Sequence, residues 1–191
     1  MADRSRPRGC ITPPDPPEAG QPAPPAAAPG VPAITITDLA SFSPDAVTPT
    51  VDPFNVGVAG LPANFVATAT THTRTGTLFG APVTVRFTPV AFDFHHGDGT
   101  TTTTRTGGAT WESLGVPQFT PTDTSHVYRE RGTYDTSVTV HYTAEIDLGA
   151  GFTPIDGELT TPGPTQQIRI FEARTALVQH TCLEDPHGIG C

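Results

Sequence analysis

Three short stretches, in a fixed order, constrain the fold more than anything else in the chain. Val90-Ala-Phe-Asp-Phe-His-His-Gly-Asp-Gly99 runs an alternating apolar segment into a glycine-bracketed aspartate. Ser125-His-Val-Tyr128 follows, and then Gly132-Thr-Tyr-Asp-Thr-Ser-Val-Thr-Val140. Successive strand side chains alternate between faces, so Phe92 and Phe94 share one face. Glycine supplies positive φ cheaply, and aspartate suits a turn because its carboxylate reaches its own backbone, so Gly97-Asp98-Gly99 ends that strand. Gly132 opens a second strand, in which Tyr134, Val138, Val140 and Tyr142 share one parity, with Thr136 interrupting. Strand, tight turn, tyrosine-marked corner and strand in this order fit an antiparallel β-sandwich.

The rest of the chain divides around these stretches. Residues 1–32 carry a Pro/Ala tract, and proline fixes φ and removes backbone donors. We expect this segment to be a disordered, extended linker. Residues 33–175 are expected to form the β-sandwich, and residues 176–191 a tail with a cysteine-bounded loop. Within the sandwich, period two predicts a strand from Ala33 to Leu39 that buries Ile34 and Ile36. A loop over 40–53, a strand at 54–58 and one long strand over 64–76 come next. A strand at 83–87 then meets Pro89, which predicts a bend or an edge. Residues 100–104 read as a return strand, and 105–124 as an insertion holding Trp111. Later strands are expected at 133–146, 158–160, 166–171 and 176–178. Abundant Thr, Val and Phe favours strands over helices.

Charge and cysteines narrow the setting. The net charge is −9 and all ten basic residues are arginine. An acidic chain without a basic cluster repels a phosphate backbone, which excludes nucleic acid as a partner. No apolar run reaches the ~18 residues needed to span a bilayer. Cys10 lies in the Pro-rich segment. Cys182 and Cys191 bound a loop whose Pro186, Gly188 and Gly190 let the chain turn back, so a disulfide there suits an oxidising compartment. Free thiols, or a metal site with His187, are the other readings of that loop. The first ten residues lack the apolar core of a signal peptide. An exported protein would then have a start lying upstream or a leader already trimmed.

The three opening stretches resemble the polycystic kidney disease (PKD) family of immunoglobulin-like domains. That family places an aromatic residue before a Gly-Asp-Gly turn, then a His-x-Tyr element, then a Gly-Thr-Tyr strand start. Phe94, Gly97, Asp98, Gly99, His126, Tyr128, Gly132 and Tyr134 occupy those positions here, and the match covers roughly residues 78–146. His96 departs from the family in standing where an aromatic is usual, and the connection from Gly99 to Ser125 is longer than the family's. The resemblance implies an all-β, immunoglobulin-like antiparallel sandwich, outside the cell or in a cell envelope; the lack of lysine and the Ala/Pro/Thr-rich makeup fit a bacterial source. It implies a non-catalytic module that binds protein or carbohydrate, or acts as a spacer, with no cofactor. Tyr128 would bury its ring and send its hydroxyl to a backbone acceptor, as in the tyrosine corner of such folds.

Two other classes stay open at this point. His95, His96 and Asp98 are the most reactive-looking cluster and would serve a metal-dependent hydrolase. Adjacent strand residues diverge, however, so both histidines share a metal only if the strand has already broken. The plainer reading is that His96 fills an aromatic slot and His95 faces water. His126 is expected to bond the turn backbone. A surface or pilus assembly is the second class, in which an unpaired strand edge docks a neighbour. Trp111 is either an exposed recognition platform or a packing residue over the core.

Overall fold

The computed structural model describes residues 33–174 and 181–187. Its regular secondary structure is mostly strand, in two layers. The axis of the larger layer is the antiparallel pairing of β5 (Ala81–His95) with β8 (Gly132–Asp147), from Thr84 opposite Asp147 to His95 opposite Ser137. Shorter strands line the two sides. β4 (His72–Leu78) and β6 (Thr101–Thr104) attach to β5, and β9 (Phe152–Pro162) and β10 (Gln166–Phe171) attach to β8. β2 (Val56–Val58) adds to β10 in parallel, so the sheet is mixed and not purely antiparallel. The smaller layer is β1 (Thr50–Asp52), β3 (Pro62–Val66) and β7 (Ser125–Val127).

The core follows from side-chain parity. On β8, Thr136, Val138, Val140, Tyr142, Ala144 and Ile146 all face inward and are buried. On β5, Val83, Val85 and Phe87 face inward, and then Phe92 and Phe94 do. That change from odd to even needs one extra residue, which a bulge between Pro89 and Ala91 provides. The bulge also removes the demand for a proline N–H, so Pro89 does not end the strand. Phe65 of β3 meets Phe94 across the layers, with ring centroids 5.8 Å apart.

Several sequence expectations need correction. Residues 33–39 do not form a strand; a 3-10 helix spans Ile36–Phe42. The Asp38 carboxylate accepts hydrogen bonds from the Thr35 amide (2.9 Å) and hydroxyl (2.7 Å). This local cap competes successfully with period-two pairing. The helix buries Leu39, sets Phe42 over Gly76 of β4 and Ile36 over Gly157 of β9, and so covers the part of the large sheet flanked by those strands. The expected loop over 40–53 contains β1. The expected single strand over 64–76 is two strands in different layers, β3 and β4. Between them the Ala67 amide donates to the Gly107 carbonyl (2.7 Å). A side chain at Gly107 would overlap the Ala67 carbonyl, so this close approach requires glycine.

The 105–124 insertion folds onto the domain. A four-residue helix, α1 (Trp111–Leu114), follows the N-cap Thr110, whose hydroxyl accepts from the Ser113 amide. Asn64, fully buried, donates to the Ala109 carbonyl (2.8 Å) and accepts from Thr122 (2.6 Å), fastening both ends of the insertion to β3. β9 is much longer than the 158–160 strand expected. The strand expected at 176–178 and Cys10 lie outside the described residues. Cys182 sits in an exposed turn, and Cys191 also lies outside the described residues, so the pairing of Cys182 with Cys191 stays a proposal.

Phe94 is the test of this core. Phe94→Ala should lower unfolding free energy by ~3–5 kcal/mol, read from the midpoint of urea denaturation. A loss below ~1 kcal/mol would contradict a central position for the ring.

Candidate functional site

The motif residues converge at one corner, where β5 ends and β7 enters β8. Gly97 (φ +78°) and Gly99 (φ +89°) turn the chain around Asp98. Gly97 is required twice, because a Cβ there would lie 2.5 Å from the Asp135 carbonyl oxygen. Asp98 Oδ1 accepts from the Thr100 amide (3.0 Å) and hydroxyl (2.6 Å), closing the turn. Its other oxygen, Oδ2, lies 2.7 Å from His126 Nε2. His126 therefore bonds the turn's side chain and not its backbone as expected. Burial works to raise the Asp98 carboxyl, but hydrogen bonds from Thr100 and His126 outweigh it and hold the group down at about 2.

Beneath this pair lies His96, which is 0% exposed. Its ring stacks on His126 at 4.0 Å and 7° and meets Phe65 edge-on at 4.8 Å. It thus fills the aromatic slot of the turn. Nε2 lies 3.0 Å from the Thr102 hydroxyl, and Nδ1 is buried without a partner. Burial, and after it the neighbouring His126, pushes the imidazole down to about 4. The Tyr128 hydroxyl donates to the His96 carbonyl at 2.8 Å, and burial raises that phenol. Tyr134 packs against Tyr128 with centroids 4.5 Å apart. Its hydroxyl donates to the Glu130 carbonyl at 3.0 Å. Gly132 opens the strand close to the Tyr134 ring. A cleft of about 610 Å³ opens beside these groups, walled by Asp98, Thr100, His126, Arg129, Glu130 and Tyr134.

His95 does not join this corner. It faces the opposite side of β5, against the hydroxyls of Thr101 (3.1 Å) and Thr139 (3.4 Å). Trp111 is 1% exposed and donates from Nε1 to the Thr120 carbonyl (2.8 Å), so it packs under the insertion and offers no platform. Among the described residues, no three His, Cys, Asp or Glu side chains surround a metal position.

One polar cluster escaped the sequence reading. On the outer face, His141 Nε2 lies 2.8 Å from Asp93 Oδ2, and Nδ1 lies 3.2 Å from Glu158 Oε2. The Thr103 hydroxyl donates to Asp93 Oδ1 at 2.6 Å. The bond to Asp93 raises the His141 imidazole against its burial. Parity alone places His141 and Asp93 on the outer face. Their meeting depends on the register of β5 against β8, which the spacing within either strand alone does not give. Compared with protein-family models, curated proteins and solved structures, the chain gave no match.

The corner makes stability acid-sensitive. His96 is neutral when folded, whereas an unfolded histidine takes up a proton below ~6.5. Stability is therefore full above that value and falls between pH 6.5 and 4, by roughly 3 kcal/mol at most. Asp98 acts lower: its contribution is present above its ordinary carboxylate range and is lost as pH falls toward 2. His96→Phe should flatten the pH 6.5–4 slope in urea titrations; an unchanged slope would assign it elsewhere. Tyr128→Phe should cost about 1–3 kcal/mol at neutral pH, because the His96 carbonyl is left buried without its donor.

Proposed function

We propose that the chain is a non-catalytic module of the immunoglobulin-like, PKD type, working outside the cell or in the cell envelope to bind protein or polysaccharide. What supports this reading is the corner itself. Residues drawn from three separated stretches meet there in one network, and the carboxylate of Asp98 and the hydroxyl of Tyr128 are spent on holding the turn. Asp98 accepts three hydrogen bonds, and Tyr128 serves the His96 backbone. A hydrolase centred on His95, His96 and Asp98 is less well supported. His95 lies on the outer face, His96 is buried, and Asp98 is occupied by Thr100 and His126. The cleft walled by Tyr134 and Arg129 supplies a half-buried aromatic ring and a guanidinium that makes no ion pair among the described residues. Such a combination suits the face and hydroxyls of a sugar ring or a peptide chain.

Affinity electrophoresis through gels carrying envelope polysaccharides, with pull-downs from envelope protein fractions, tests the reading. Retardation without product release is expected, weakened at least about tenfold, that is by about 1.4 kcal/mol, in Tyr134→Ala. Turnover of the polymer that Asp98→Asn abolishes would overturn it.

A further inference from the structure

The edges of the larger sheet are protected unequally. β2 has three residues and β6 four, too few to template a partner. β9 is long but carries Pro154 and Pro162, and Gly157 at φ +102° breaks its ladder under Ile36. β4 is different. It offers seven residues, His72-Thr-Arg-Thr-Gly-Thr-Leu78, with no proline and no bulge against β5. Its one charge is already neutralised, since Arg74 lies 2.7 Å from Asp45. Among the described residues, no backbone hydrogen bond is made from β4 to anything but β5. An edge this long and uncharged presents unpaired donors and acceptors to any strand that fits.

We infer that β4 is a pairing edge for β4 of a second copy of this chain, joining two large sheets antiparallel about a twofold axis. The choice of occupant rests on register. Directly opposed residues in an antiparallel pair share a face, so a twofold normal to the sheet sets one residue opposite itself. Only Thr75 as that residue overlaps all seven positions. It places Thr73 opposite Thr77 and Thr75 opposite Thr75 on the outer face, where Thr–Thr pairs stabilise a ladder. Arg74 then stands opposite Gly76, whose face Phe42 covers, and keeps its own partner Asp45. Moving the axis to Arg74 sets two arginines against each other and shortens the overlap. Thr73, Thr75 and Thr77 are exposed, and they oppose the outer-face Arg86, Thr84 and Pro82 of β5. A pairing built on one strand buries little, so the dimer belongs to the weak, concentration-dependent class. It requires no ligand and stands independently of the binding reading.

Cysteine trapping tests both the pairing and its register in the full chain. Opposed Cα atoms in such a ladder lie ~4.5–5.5 Å apart, within disulfide reach. Thr75→Cys should form a covalent dimer under mild oxidation, with peptide mapping locating the bond between the two introduced cysteines. Thr73→Cys and Thr77→Cys should cross-link when mixed and far less when alone. Sedimentation velocity supplies the second readout. Thr75→Lys and Thr75→Glu should each weaken self-association roughly fivefold, and a one-to-one mixture should restore it. A Thr75→Cys protein that stays monomeric, or that links only to a native cysteine, overturns the proposal. So does protection of the introduced thiol from alkylation at all dilutions, which would show the chain's own segment covering the edge.

Discussion

The antiparallel pairing of β5 with β8 is the constraint on which both faces of the domain depend. Because side chains alternate, a slip of one residue would carry a whole set of apolar groups from core to solvent. The bulge at Pro89–Ala91 makes that slip deliberately and once. Ahead of it Val83, Val85 and Phe87 point inward; beyond it Phe92 and Phe94 do. The same shift sends Asp93 and His95 outward, to meet His141, Thr139 and Thr101. Core and polar outer ladder are therefore two consequences of one extra residue.

The corner at the end of β5 converts that register into a fixed three-dimensional lock. A strand that ends in a glycine turn would fray, since its last carbonyl has no ladder partner. Here Tyr128 supplies the donor for the His96 carbonyl, and Asp98 ties the turn to β7 through His126. The cost is a buried imidazole with an unpartnered Nδ1, set in aromatic contacts with Phe65 and His126. A phenylalanine at this position would have no such cost at acid pH. The histidine trades acid stability for the hydrogen bond to Thr102.

The parts of this fold legible in the sequence are those governed by short range. Parity on β8, the glycine turn around Asp98 and the Pro89 irregularity all follow from neighbours within a few residues. What stayed hidden is long-range or locally overridden. Ile34 and Ile36 have strand spacing, yet the Thr35–Asp38 cap turns the chain into a 3-10 helix that begins at Ile36. Residues 64–76 have strand character throughout, yet the chain changes layers where Gly107 presses on Ala67, a contact between residues forty positions apart. Trp111 had two readings, and only the fold of the insertion, held by Asn64, decides for burial. The His141–Asp93 pair required a register that no spacing rule contains.

The absence of lysine from the chain bears on how its edges are kept apart. Lysine on an edge strand is a common guard against unwanted pairing, because its charge cannot be stacked cheaply against another. A chain that uses only arginine for positive charge must guard edges by other means. It does so with prolines and a positive-φ glycine on β9 and with brevity at β1, β2, β6 and β7. On β4 the available arginine is turned to Asp45 and guards nothing. The net charge of −9 keeps copies apart at a distance, but that repulsion is screened beyond about 8 Å at physiological salt. At contact range, strand geometry decides, and there β4 carries none of the features that close the other edges.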